Sequence, residues 1–114
     1  MAYWDSVPRL KEEHWEQEVA AHAVAVVLFW AAWSQPDHMM SGVLEAVRPE
    51  FASIAFFSCD LDSAPEVAAA NAVMTNPTLI CFLNGQRHVT TIGYLGEEHL
   101  RARLSEWLAA GTST

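Results

Sequence analysis

The stretch from Ala25 to Leu44 limits most strongly what this chain can fold into, because a continuous apolar run breaks abruptly there and resumes at helical spacing. The run from Val24 to Trp30 carries no charge and is rich in β-branched, aromatic and aliphatic residues, which is typical of a central strand covered on both faces. After the polar break, apolar residues recur with the period of a helix packed on a sheet. The pattern predicts a buried strand that leads directly into a helix.

The start of that helix carries capping chemistry. Ser34 occupies the position of an N-cap, Pro36 lies in the first turn, and Asp37 follows three residues after Ser34. A proline in the first turn costs no hydrogen bond, and the Ser/Asp spacing is close to a capping box with Asp in place of Glu or Gln. We therefore expect Ser34 and Asp37 to cap the helix.

The residues around this break resemble the thioredoxin family. In that family the strand leads through two tryptophans into Cys-Gly-Pro-Cys, and here Trp30 and Trp33 lead into Ser34-Gln35-Pro36-Asp37. Further along, Asn76-Pro77-Thr78 resembles the family segment that contains its cis-proline, and Gly93 resembles the glycine that faces the active site. The resemblance covers roughly residues 7 to 110 and implies a cis peptide bond before Pro77. Both redox cysteines are replaced, at Ser34 and Asp37.

The resemblance implies an α/β thioredoxin fold, with a central mixed five-stranded sheet and helices on both faces. If strands are numbered along the chain, the implied spatial order is 1-3-2-4-5. The first strand is expected at Val7–Leu10, where Pro8 suits a sheet edge, and Asn84-Gly85 predicts the turn of a hairpin. Residues 1–114 are predicted to form a single domain. The other predicted elements are helices over Glu12–Ala21, Ser34–Arg48 and Pro65–Ala72, strands over Phe51–Cys59, Thr78–Leu83 and Gln86–Ile92, and a terminal helix after Gly96 with a frayed tail from Gly111.

Charge and cysteine content narrow the partners and the compartment. Fourteen acidic residues against six basic ones give a net charge of −8, which repels nucleic acid and anionic membrane surfaces. The sequence has no basic N-terminal region before an apolar stretch, and no run approaches the roughly 18 apolar residues of a membrane span. In the family topology Cys59 and Cys81 lie about two strand spacings apart, ~9.6 Å, beyond the reach of a disulfide. Two buried free thiols suit a reducing compartment, and we expect a soluble cytoplasmic protein.

Catalytic and metal-binding alternatives have weaker support. The five histidines do not fall in H-x-x-x-H spacing, so we expect surface imidazoles, no metal site and no cofactor. Ser34, Asp37 and His38 could be imagined as a hydrolytic triad, but Asp37 would point away from His38 and compete for the helix N–H groups. Capping explains Ser34 and Asp37 without any reaction. We therefore predict no catalytic residue and, without Cys-x-x-Cys, no thiol–disulfide oxidoreductase activity.

The resemblance also implies a groove for an extended peptide. A peptide bound beside the cis-proline of a thioredoxin pairs with the backbone, a form of strand addition that requires no sulfur. Trp33 could instead merely pack over its loop, because single exposed aromatic residues need no explanation. By position, the groove residues are Trp33, Ser34, Gln35, Pro36, Asn76, Pro77, Gly93 and Tyr94.

These observations lead to a prediction of function. Leu28 and Ser58 occupy the positions where the family has a buried aspartate and its lysine partner. The sequence therefore predicts a redox-inactive thioredoxin-like protein that binds another protein or peptide, as a chaperone, assembly factor or scaffold. The alternative is a non-redox or glutathione-dependent enzyme on the same fold that uses Ser34. The sequence neither identifies the partner nor predicts self-association.

Overall fold

The computed structural model describes residues 1–112, and their helices and strands alternate around one mixed sheet. A 3-10 turn over Arg48–Glu50 ends the long central helix. The elements are α1 (Tyr3–Ser6), α2 (Trp15–Ala20), β1 (Val24–Trp30), α3 (Gln35–Val47), β2 (Ala55–Asp60), α4 (Pro65–Ala70), β3 (Thr78–Leu83), β4 (Gln86–Ile92) and α5 (Glu97–Thr112).

The sheet has the spatial order β2-β1-β3-β4. β1 runs parallel to β2 and antiparallel to β3, and β3 and β4 form a hairpin. Every residue of β1 is buried, as its uncharged sequence predicts. One apolar cluster joins the sheet to α1, α3 and α5, and a second joins the opposite face to α2 and α4. The predicted α/β architecture with helices on both faces is therefore confirmed.

The predicted five-stranded sheet is not confirmed, because the described part of the chain forms four strands. The expected first strand, Val7–Leu10, makes only a single bridge, between Arg9 and Ser58. Ser58 donates its N–H to the Pro8 carbonyl at 3.0 Å, and the Leu10 N–H donates to the Ser58 carbonyl at 2.8 Å. Pro8 has no N–H with which to extend the ladder. The predicted order 1-3-2-4-5 therefore lacks strand 1. Predicted strands 2, 3, 4 and 5 correspond to β1, β2, β3 and β4, and they keep their predicted neighbours.

Two local predictions are confirmed. The peptide bond between Asn76 and Pro77 is cis. Asn84 and Gly85 have φ of 51° and 84°, the left-handed values that a tight hairpin turn requires.

The two ends of the chain differ from the prediction. The helix expected over Glu12–Ala21 begins only at Trp15, because His14 adopts a left-handed backbone conformation with φ of 71°. The tail expected to fray from Gly111 continues α5 as far as Thr112, and residues 113 and 114 lie outside the described chain. Within residues 1–112, no helix combines the length and apolar character needed to cross a membrane.

Candidate functional site

The site lies where β1 ends and α3 begins. The connecting loop presents Trp33, whose side chain is 73% exposed, so the ring projects into solvent rather than packing over the loop. Gln35 and Pro36 are exposed in the first turn of α3, whereas Ser34 is only 7% exposed. The burial of the preceding strand fixes the position of this loop.

Ser34 and Asp37 do not form the predicted capping box. Ser34 is the N-cap residue of α3, but its side chain makes no capping hydrogen bond. The Asp37 carboxylate instead accepts a hydrogen bond from the Ala31 N–H at 2.7 Å, and Ala31 precedes the helix. Asp37 therefore ties down the loop that leads into the helix.

Asp37 also reaches a distant part of the chain. The same oxygen, Oδ2, accepts a hydrogen bond from the Asn76 side-chain amide at 2.7 Å. Asp37 is fully buried, and its other oxygen, Oδ1, has no hydrogen-bond partner within residues 1–112. One carboxylate oxygen thus joins the β1–α3 loop to the residue that precedes cis-Pro77.

A third segment completes the site. The Gly93 N–H donates to the Pro77 carbonyl at 2.9 Å, which places the loop after β4 beside the proline. Two residues further on, the Leu95 N–H points at the Met40 sulfur of α3 at 3.4 Å. The eight residues predicted to line a groove therefore lie on three segments that hydrogen bonds link together.

The exposed apolar side chains of these segments are more numerous than the sequence suggested. Met74 is 93% exposed and Ile92 is 67% exposed, in addition to Trp33 and to Tyr94, which is 46% exposed. We call these four residues the docking face. Sequence reasoning missed Met74 and Ile92, although each lies within two residues of a predicted groove residue.

The hydrolytic triad is not assembled. His38 Nε2 lies 2.7 Å from the Ala32 carbonyl, and the Asp37 carboxylate is bonded to Ala31 and Asn76. Neither side chain is hydrogen-bonded to Ser34. Within the described residues, His, Cys, Asp and Glu form no group of three that could hold a metal ion.

The N-terminal residues pack against the elements that form the site, which the sequence did not predict. The Trp4 ring stacks on the Trp30 ring, with centroids 4.0 Å apart and planes 5° from parallel. Trp4 also makes an edge contact with His38, and the Arg9 guanidinium lies 5.1 Å from the Trp30 ring centroid. α1 therefore packs against both the end of β1 and the start of α3.

The two cysteines lie away from the site. Cys59 on β2 pairs with Phe29, and Cys81 on β3 pairs with Val26, so β1 separates them. Both thiols are free and buried, as expected. Burial raises the pKa of each thiol to about 12. A thiol needs ionisation and access to act as a nucleophile, so this environment keeps both cysteines unreactive.

Comparison with known proteins shows the family. The sequence model described as Thioredoxin matches residues 6–106. The chain belongs to the thioredoxin family. It is 31% identical over 106 residues to a thioredoxin of Porphyra purpurea, a match that covers 91% of this chain and 99% of that protein. It is 33% identical over 100 residues to a thioredoxin of Alicyclobacillus acidocaldarius subsp. acidocaldarius, covering 87% and 95% of the two chains.

Solved structures of the family match the fold as well. The thioredoxin of Malassezia sympodialis superimposes with a TM-score of 0.79 at 26% identity, over 88% of this chain and 91% of that one. The similarity therefore extends over nearly all the elements that build the site.

The comparisons correct the predicted function. The relatives are named thioredoxin, so they point to a thioredoxin rather than to a redox-inactive chaperone, assembly factor or scaffold. They equally give no support to the alternative of a non-redox or glutathione-dependent enzyme that uses Ser34. The prediction relied on the substitutions at Ser34 and Asp37, whereas the similarity to thioredoxins extends over about nine tenths of the chain.

Proposed function

We propose that this protein takes part in thioredoxin-type thiol–disulfide exchange by binding an extended, cysteine-bearing segment of a protein partner. The names of its relatives support this class of partner. The proposed binding site is the groove predicted from the sequence, lined by Trp33, Ser34, Gln35, Pro36, Asn76, Pro77, Gly93 and Tyr94. The observation that carries the proposal is the exposed docking face on three mutually bonded segments.

The geometry favours an extended ligand. Asn76 and Pro77 lie in irregular backbone between α4 and β3. Hydrogen bonds connect them to Asp37, four residues after the exposed Trp33, and to Gly93, the chain neighbour of Tyr94. An extended segment can pair with this backbone as an added strand, with its apolar side chains against the two aromatic rings. Aromatic residues of this kind provide much of the binding energy at protein interfaces.

The cysteine thiol in the groove belongs to the bound partner, not to this chain. Position 34 is a serine and position 37 a buried aspartate, and both cysteines of the chain are held in strands. The partner's cysteine would be presented to the N-terminal end of α3, beside the Ser34 hydroxyl.

The net charge of −8 makes nucleic acid and membrane surfaces unsuitable partners. The two free thiols support a reducing, cytoplasmic location for a single domain over residues 1–114.

Substitution of Trp33 tests the proposal. The probe is the reduced B chain of insulin labelled with fluorescein, and binding is followed by fluorescence anisotropy. Trp33→Ala should raise Kd about tenfold or more, because it removes an exposed aromatic anchor, and should leave the melting temperature nearly unchanged. Trp15→Ala is the matched control. Trp15 packs against Phe82 in the apolar cluster that joins the sheet to α2 and α4, so its loss should lower the melting temperature and leave Kd unchanged. Equal effects of the two variants on Kd, or no binding by the wild type, would overturn the proposal.

A further inference from the structure

We propose that Asp37 is a positioning residue of the groove: its buried carboxylate holds Asn76, and through it the backbone at Pro77, in the arrangement that receives a partner segment. The effect on binding rests on the proposed function. The effect on the conformation of the loop does not, and it can be measured without a ligand.

The contact joins parts of the chain that are 39 residues apart. Asp37 Oδ2 lies 2.7 Å from the Asn76 amide nitrogen and 2.7 Å from the Ala31 backbone nitrogen. Both distances are at the short end of the range for a hydrogen bond between an N–H donor and an oxygen acceptor. Because Asp37 has no exposed surface, water does not compete for this oxygen.

The segment that Asp37 holds is otherwise tied towards its two ends, where the Val73 N–H donates to the Ala68 carbonyl at 2.9 Å and the Gly93 N–H donates to the Pro77 carbonyl at 2.9 Å. Residues 71–77 form neither helix nor strand, and Met74 and Thr75 are exposed. The Thr78 hydroxyl donates to the Thr75 carbonyl at 2.7 Å, which ties the segment to the first residue of β3. Within residues 1–112, Asn76 provides the only side-chain hydrogen bond from residues 74–77 to α3. Breaking it should release the backbone just before Pro77.

The role of a helix cap does not account for this arrangement. A capping carboxylate accepts hydrogen bonds from the free N–H groups of its own helix, whereas both donors to Asp37 lie outside α3. Its contacts instead meet the two segments that flank the groove. Asp37 is therefore placed to set the distance between the β1–α3 loop, which carries Trp33, and the α4–β3 segment, which carries Pro77.

Asn76→Asp is the sharpest test, because it keeps the shape of the side chain and replaces the donating amide with a second carboxylate. Like charges at hydrogen-bond distance repel. The Gly93 N–H donates to the Pro77 carbonyl, so we expect its amide hydrogen exchange to become about tenfold faster. Kd for the labelled insulin B chain should rise about tenfold, which matches the loss of one hydrogen bond to a charged group.

The double variant Asp37→Asn/Asn76→Asp restores one donor facing one carboxylate. It should therefore recover part of the lost protection and affinity, and the recovery should be incomplete because the Ala31 N–H loses its charged acceptor. Ser41→Ala serves as the control: Ser41 is buried on α3 and accepts the Tyr3 N–H at 2.8 Å. Its loss should lower stability without changing amide exchange at Gly93.

The outcomes separate the inference from the proposed function. Unchanged exchange in Asn76→Asp, or equal changes in Ser41→Ala, would overturn the positioning role of Asp37 even if peptide binds. Faster exchange that the double variant reverses would support the role even if the wild type binds no peptide. In that second case only the proposed function would fail.

Discussion

Ser34 and Asp37 stand at the start of the same helix, but their side chains have different partners. Ser34 has the backbone geometry of an N-cap and makes no capping bond, whereas Asp37 accepts two hydrogen bonds from outside the helix. The sequence spacing predicted the positions correctly and the partners wrongly. A local pattern reveals donors a few residues away, but it cannot reveal Asn76, which comes close only after the sheet has formed.

Replacing Ser34 should therefore have little effect on stability. Ser34→Ala removes no capping bond, so we expect it to cost less than about 0.5 kcal/mol, below the range measured for true N-cap residues. Asp37→Ala should cost clearly more, because it leaves the buried Ala31 N–H without an acceptor, at about 1–3 kcal/mol for such a group, and also removes the bond from the half-buried Asn76. Urea unfolding followed by circular dichroism measures both. A loss of more than about 1 kcal/mol in Ser34→Ala would mean that the hydroxyl caps the helix in solution.

Individual elements show why some of the fold follows from sequence and some does not. β1 was predictable because seven successive residues without charge require cover on both faces. The hairpin was predictable because Asn84-Gly85 tolerates the positive φ of the turn. α1 was missed because a helix of four residues has no periodicity to detect. Its position depends on Trp4, which stacks on Trp30, a contact that only the folded chain creates.

Two glycines, in α3 and α5, provide a matched test of helix packing. A methyl group on Gly42 would meet no atom within 4 Å, whereas one on Gly111 would overlap the Val24 side chain. Gly42→Ala should stabilise the protein by about 0.5–1 kcal/mol, because alanine favours the helix. Gly111→Ala should destabilise it by about 1–3 kcal/mol, the usual cost of overpacking. Chemical denaturation of both variants measures their free energies of unfolding. A stabilising Gly111→Ala would show that the end of α5 does not pack on β1.

In the molecule as a whole, the two apolar clusters are separated by a single sheet, and each contains one cysteine. Cys81 belongs to the cluster beneath α3 and α5, and Cys59 to the cluster beneath α2 and α4. The sequence predicted that the two strands lie on either side of β1, but not that the two thiols lie on opposite faces of the sheet. The cysteines therefore report on both halves of the core.

Both thiols should react only when the whole domain opens. Burial raises the pKa of each from 9.0 to about 12, so the folded state favours the neutral thiol. This contribution to stability is complete below about pH 9 and is lost as the pH rises through 12. At pH 8, alkylation of Cys59→Ser and of Cys81→Ser by iodoacetamide should be slow in native buffer. Added urea should accelerate the two reactions in parallel, because a small domain unfolds as one cooperative unit. If one variant reacted in native buffer at the rate of an unfolded peptide, its remaining thiol would be accessible in the folded state, and one of the two clusters would open independently of the other.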